Sequence, residues 1–125
     1  MNNRAEGIVG ETIACAYMQE AGMRIVCRNY ACPRGEIDII AREGTYWVFC
    51  EVKARKGGRM GYPTEAVTPA KITQIVHACE WYLHANHLRD VDVRFDIAAV
   101  DLTSERVEYT RSAFTRNDAG RRNRW

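Results

Sequence analysis

The chain has 125 residues, 46% of them hydrophobic and 27% charged, which suits one domain with a real core. A formal charge of +2 and a pI near 8.3 are too mild for bulk charge alone to argue for nucleic acid. Five cysteines without a CxxC pair argue against a disulfide scaffold and a zinc ribbon, and no apolar run suits a signal peptide or a membrane span, so a reduced, cytoplasmic protein is expected.

Residues 4–20 are predicted as a helix. Ile8, Val9, Thr12, Ile13, Ala16 and Tyr17 recur at helical spacing and form its expected apolar stripe. Glu11 borders that stripe, in one row with Ile8, Cys15 and Met18; on its own it reads as an exposed helix-edge glutamate. Gly22 is a natural residue for ending the helix. Residues 23–30 read as a strand, and 31–34, with Pro33, as a turn. Cys15, Cys50 and Cys79 lie in apolar stretches and read as buried thiols. Cys27 and Cys32 have no second metal pair to complete them.

The stretch 35–53, GEIDIIAREGTYWVFCEVK, reads as a β-hairpin. Two apolar-rich runs flank Glu43-Gly44-Thr45. A two-residue turn with Gly first, as type II′ prefers, puts Asp38 opposite Glu51 and Glu36 opposite Lys53. Opposed side chains share one face, with Cβ atoms roughly 4.5–5.5 Å apart. Ile37, Ile39, Cys50 and Val52 are then expected on the other face. Two acids facing each other destabilise a sheet unless something offsets their charge, and a divalent cation held by oxygen does so. The bland alternative is a set of surface ion pairs, Glu36 with Lys53 and Asp38 with Arg42 or Arg28, worth little.

A loop over residues 55–67 follows, rich in Gly57, Gly58, Gly61 and Pro63, with Lys56 and Arg59. Thr68 as N-cap and Pro69 at the first position start a second helix. Ile72, Ile75, Val76, Cys79, Tyr82 and Leu83 make its core face, and Lys71 and Gln74 stand together near its start. Residues 91–101 alternate strictly as a strand. A helix between hairpin and strand implies a crossover, so this strand should run parallel to a hairpin strand. Residues 105–110 add a short edge strand. From Arg111 the chain turns polar and basic, so a domain over 1–110 and a flexible basic tail over 111–125 are expected. His77, His84 and His87 lack the spacing and the glutamate of a zinc helix.

The order is helix, three strands, helix, strand. Asp38, twelve intervening residues, then Glu51-Val52-Lys53 resembles the signature of the PD-(D/E)xK nuclease superfamily. GEIDIIA, FCEVKAR and the Lys71-bearing helix are similar to the YraN family of small bacterial proteins, described as resembling archaeal Holliday junction resolvases. One departure is that Ile37, not Pro, precedes Asp38. The resemblance implies an α/β, restriction-endonuclease-like αβββαβ core with a mixed central sheet flanked by helices. It implies a Mg²⁺- or Mn²⁺-dependent endonuclease acting on DNA, branched DNA included. It adds Glu11 as a further metal-side acid, and Lys71 and Gln74 as residues lining the site.

The chemistry stands beside the resemblance. Asp38 and Glu51 supply the one or two carboxylates that Mg²⁺ commonly takes from a protein, and the Val52 carbonyl is a further candidate ligand. Lys53, two residues beyond Glu51, suits stabilisation of developing negative charge. Arg34, Arg55, Lys56 and Arg59 give a local positive region for a phosphate backbone. Two other functions remain open: a nucleic-acid-binding module of this fold without turnover, and an adaptor using residues 57–63 and the arginine tail. A homodimer suits a two-fold junction.

Overall fold

The computed structural model describes residues 3–56 and 67–119. Two helices and five strands follow one another as α1 (Asn3–Glu20), β1 (Arg24–Cys32), β2 (Gly35–Glu43), β3 (Tyr46–Arg55), α2 (Pro69–Ala85), β4 (Asp92–Asp101) and β5 (Arg106–Phe114). The strands form one sheet in the order β1-β2-β3-β4-β5. All neighbours are antiparallel except β3 and β4, which run parallel around the α2 crossover. This is the expected αβββαβ core of the restriction-endonuclease-like type, with one further edge strand. Among the described residues no helix is long and apolar enough to cross a membrane.

The sheet is covered on both faces. Ile37, Ile40, Phe49, Phe95 and Ile97 pack against Ile75, Cys79, Tyr82 and Leu83 of α2. Ile39, Ala41, Val48, Cys50, Ala98 and Val100 pack against Ala14, Cys15 and Met18 of α1. The interior strand β4 is therefore buried on both sides from Arg94 to Asp101. α2 starts as its sequence dictates: the Thr68 hydroxyl accepts the Lys71 amide at 3.1 Å and Pro69 opens the first turn. Cys15, Cys50 and Cys79 are buried free thiols.

α1 turns a different face inward from the one its stripe suggested. Glu11, Ala14, Cys15 and Met18 are buried, while Ile8 and Val9 are 54% and 50% exposed. The reason is close approach. A Cβ on Gly10 would stand 2.7 Å from that of Ala54 on β3. Gly10 and Ala14 are one turn apart, so this narrow face lets the helix settle onto the sheet, where Ile8 and Val9 would hold it off. Glu11 is carried inward with them.

The C-terminal segment also departs from expectation. β5 continues beyond residue 110 to Phe114, whose ring stacks on Phe95 at 5.2 Å. A 3-10 turn, Arg116–Asp118, follows. The arginines that look like a solvated tail have partners: Arg111 Nη2 lies 2.9 Å from Glu43, and Arg116 Nε 2.9 Å from Glu80. Residues 111–119 thus belong to the domain, and residues 120–125 lie outside those described.

Their anchor is Asp96, fully buried in β4. Phe95 pairs with Phe114 and Ile97 with Thr110, so three residues of β5 bulge opposite Asp96. The Asp96 carboxylate fills the gap. It accepts from the Ser112 amide at 3.0 Å, the Tyr109 hydroxyl at 2.6 Å and the Arg94 guanidinium at 2.9–3.2 Å. Arg94 in turn meets Glu43 at 2.8 Å. A buried charge is tolerable when paired and hydrogen-bonded in this way.

Candidate functional site

The hairpin register is the one its turn dictates. Gly44 takes φ of 58° while Thr45 does not, and pairing runs from Glu43↔Tyr46 to Ile39↔Cys50. There the β2–β3 ladder stops. Asp38 does not pair with Glu51 as a ladder partner, nor Glu36 with Lys53. Instead Asp38 Oδ2 accepts the main-chain N–H of Val52 at 2.8 Å. The two strands open like a fork, and an aspartate holds the tines.

The expectation that Ile37 and Ile39 share a face is overturned at the same point. Ile37 packs toward α2 and Ile39 toward α1. β1 switches with it. Tyr30, opposite Ile37, meets Tyr82 of α2 at 5.1 Å. Arg28, opposite Ile39, meets Glu11 and Thr12 of α1. Asp38 sits at the switch and so neighbours acids from both layers.

Glu51 lies on the α2 side, 4% exposed. Lys53 Nζ stands 3.7 Å and Lys71 Nζ 3.8 Å from the same oxygen, Oε2. Burial, then the Asp38 charge, pushes the Glu51 carboxyl up to about 7; Lys71 and Lys53 pull the other way without prevailing. Lys71 thus belongs to the centre itself. The close seating of α2 brings it there: a Cβ on Gly35 would collide with the Gln74 carbonyl oxygen.

Glu11 lies on the α1 side, with Oε1 buried and, among the described residues, without a hydrogen-bond donor. Arg28 Nη2 is 3.5 Å from that oxygen, an ion pair rather than a hydrogen bond. Burial, then Asp38, raises the Glu11 carboxyl, while the neighbouring Asn29 amide and the Arg28 charge work against the rise. Glu11 is therefore not the exposed helix-edge residue its position in the stripe suggested. The surface ion pairs that were the bland alternative do not form at Asp38. Arg28 goes to Glu11, and Arg42 lies over the Trp47 ring at 4.3 Å.

Two hollows lie at the open end of the hairpin, and the first reaches Glu11 and Asp38. One, of about 510 Å³, is lined by Glu6, Glu11, Asp38, Val52, Arg55 and Lys56. The other, of about 410 Å³, is lined by Arg34, Glu36, Lys71 and Gln74. The basic residues expected around the site are split between its two sides, and Lys56 is paired with Glu6 at 3.3 Å. Arg59, with the rest of the loop over 57–66, lies outside the described residues. Sequence reasoning missed Arg28 and Asn29 as site residues. The available signal was a polar Arg-Asn pair between apolar residues of a strand, where Asn is disfavoured.

The donor set suits a hard, oxygen-seeking ion. Asp38 and Glu51 stand together, and Glu11 offers a buried oxygen with no donor among the described residues. Among the described residues no three His, Cys, Asp or Glu side chains form a metal-holding group. Asp38 and Glu51 are the carboxylates that could hold such an ion, and one or two carboxylates are what Mg²⁺ commonly takes from a protein.

Residues 10–100 match the uncharacterised protein family UPF0102. A UPF0102 protein of Syntrophus aciditrophicus is 45% identical over 114 residues, spanning 90% of each chain. Others from Lachnoclostridium phytofermentans and Geobacter sulfurreducens are 42% and 40% identical, over 91% and 90% of this chain and 96% and 91% of theirs. The chain belongs to this family, the YraN family that its hairpin motifs resemble.

Proposed function

We propose that this protein is a divalent-metal-dependent endonuclease that hydrolyses DNA phosphodiesters at the open end of the β2–β3 hairpin. The observation that carries the reading is the juxtaposition of Asp38 and Glu51 where the ladder splits, with Lys53 and Lys71 beside Glu51. Asp38, Glu51 and the Val52 carbonyl would hold Mg²⁺ or Mn²⁺, with Glu11 on the α1 side. Such an ion supplies charge for the phosphate and a lowered pKa for an attacking water.

The chain's own residues do the rest. The Val52 N–H fixes one Asp38 oxygen, so this carboxylate needs no rearrangement to bind. Lys53 and Lys71 have side chains about three-tenths exposed and present ammonium groups to an incoming phosphate. They offset the negative charge that grows on phosphate oxygens in the transition state. Arg34, Arg55 and Lys56 flank the acids on both sides and bind backbone phosphates without reading bases. Branched DNA is the favoured substrate form, and its two-fold symmetry suits a homodimer.

A second reading is a nucleic-acid-binding module without turnover. It is favoured by the lack of a three-donor metal group among the described residues. One experiment separates the two. Labelled duplex, flap and four-way-junction DNA, and matching RNA, are incubated with Mg²⁺ or Mn²⁺. Cleavage abolished in Asp38→Asn and Lys53→Met supports the nuclease. Salt-sensitive binding that survives Asp38→Asn, with no cleavage by the wild type under either metal, supports the binding module.

A further inference from the structure

Asn29 lies in the middle of β1 with φ of 57°. L residues rarely adopt this conformation inside a strand, and asparagine is among the few that tolerate it. The pairing on either side stays in one register, from Cys27↔Ile40 and Arg28↔Ile39 to Tyr30↔Ile37 and Ala31↔Glu36. No residue is inserted, so Asn29 lies directly across from Asp38. That pair alone is skipped in the ladder between Cys27 and Cys32.

The skipped pair is where both strands change faces. Arg28 and Tyr30 are two residues apart and would share a face in a regular strand. Here Arg28 meets α1 and Tyr30 meets α2. A bulge turns a strand by adding a residue; here a left-handed residue does it without one. Strained backbone of this kind persists where surrounding structure over-determines it, and it clusters at binding sites. The Asn29 carboxamide also neighbours the Glu11 carboxyl.

We propose that Asn29 is a positioning residue: its left-handed backbone rolls β1 and β2 over together to bring Asp38 to the open edge, and aims its carboxamide at Glu11. The inference rests on the metal-site reading above and deepens it. Groups behind metal ligands typically change affinity by about 10–100-fold when removed.

The test compares the wild type with Asn29→Gly and Asn29→Ala. Glycine keeps the left-handed backbone without steric cost but removes the amide; alanine removes both. Three quantities are read: the melting temperature without metal, the ¹³C resonance of the Glu11 carboxyl without metal, and Mn²⁺ affinity by electron paramagnetic resonance. Asn29→Gly should melt at or near the wild type and Asn29→Ala clearly lower. Both should move the Glu11 resonance and weaken Mn²⁺ binding about tenfold or more. An Asn29→Gly protein with the wild-type Glu11 resonance and Mn²⁺ affinity overturns the amide's role. One that melts as low as Asn29→Ala overturns the backbone's role. A wild type that binds no Mn²⁺ removes the metal reading instead, while the resonance and the two melting temperatures still decide on Asn29.

Discussion

Gly35 lies flush against the main chain of Gln74, so closely that a Cβ there would meet the Gln74 carbonyl oxygen and carbon. The obstruction is backbone, which cannot swing aside as a side-chain tip can. Gly35→Ala should therefore lower stability by about 1–3 kcal/mol, the usual cost of overpacking. Urea unfolding measures it. An unchanged midpoint would mean that α2 does not sit this close to β2.

One turn before Gln74, Lys71 reaches the Glu51 oxygen that Lys53 also faces. Of the two, Lys71 weighs more on the Glu51 proton. Lys71→Met should raise the Glu51 midpoint further than Lys53→Met does. Carboxyl ¹³C titration of the metal-free variants reads this directly, and equal midpoints would contradict it. If the site cleaves DNA, Lys53→Met should cost about 100-fold or more in rate, as removal of one oxyanion donor typically does.

Stability of the metal-free protein should fall as pH rises through the Glu51 range. The folded state holds this proton up to about 7, against an ordinary 4.5. The contribution is fully present below about 4.5, is lost between there and about 7, and is constant above. By linkage the loss is about 3 kcal/mol. Glu11, also raised, pulls in the same direction. The Glu43 carboxyl, held down to about 2 by Arg111 and Arg94, acts only in stronger acid and does not mask the effect. Melting curves from about pH 5 to pH 8 should show the decline in the wild type and a flatter profile in Glu51→Gln. Parallel profiles would rule out a buried, proton-holding Glu51.

Asp96 serves the scaffold rather than the acids. Asp96→Ala leaves the buried Arg94 without its main partner, and the Tyr109 hydroxyl and Ser112 amide without an acceptor. Breaking a buried charge pair from one side typically costs about 3–5 kcal/mol. Chemical denaturation should show a loss of that size. A loss below about 1 kcal/mol would show that β5 closes the sheet without this aspartate.

The sequence determined the elements and the hairpin register. Gly44-Thr45 admits one turn type, Thr68-Pro69 one helix start, and the runs around them one strand pattern; these are local preferences, read within a few residues. That is why Asp38, Glu51 and Lys53 were legible as neighbours. The tertiary structure decided which side of α1 went inward, because Gly10 and Ala14 fit against β3 where Ile8 and Val9 do not, and no helical periodicity encodes the shape of the surface it will meet. It decided that Arg111 and Arg116 belong to the domain, since their partners Glu43 and Glu80 are distant in sequence. It also decided the left-handed turn at Asn29 and the fork at Asp38. Both break the alternation of their own strands, and the contacts that go with the break, to Glu11 and Val52, come from elements far along the chain.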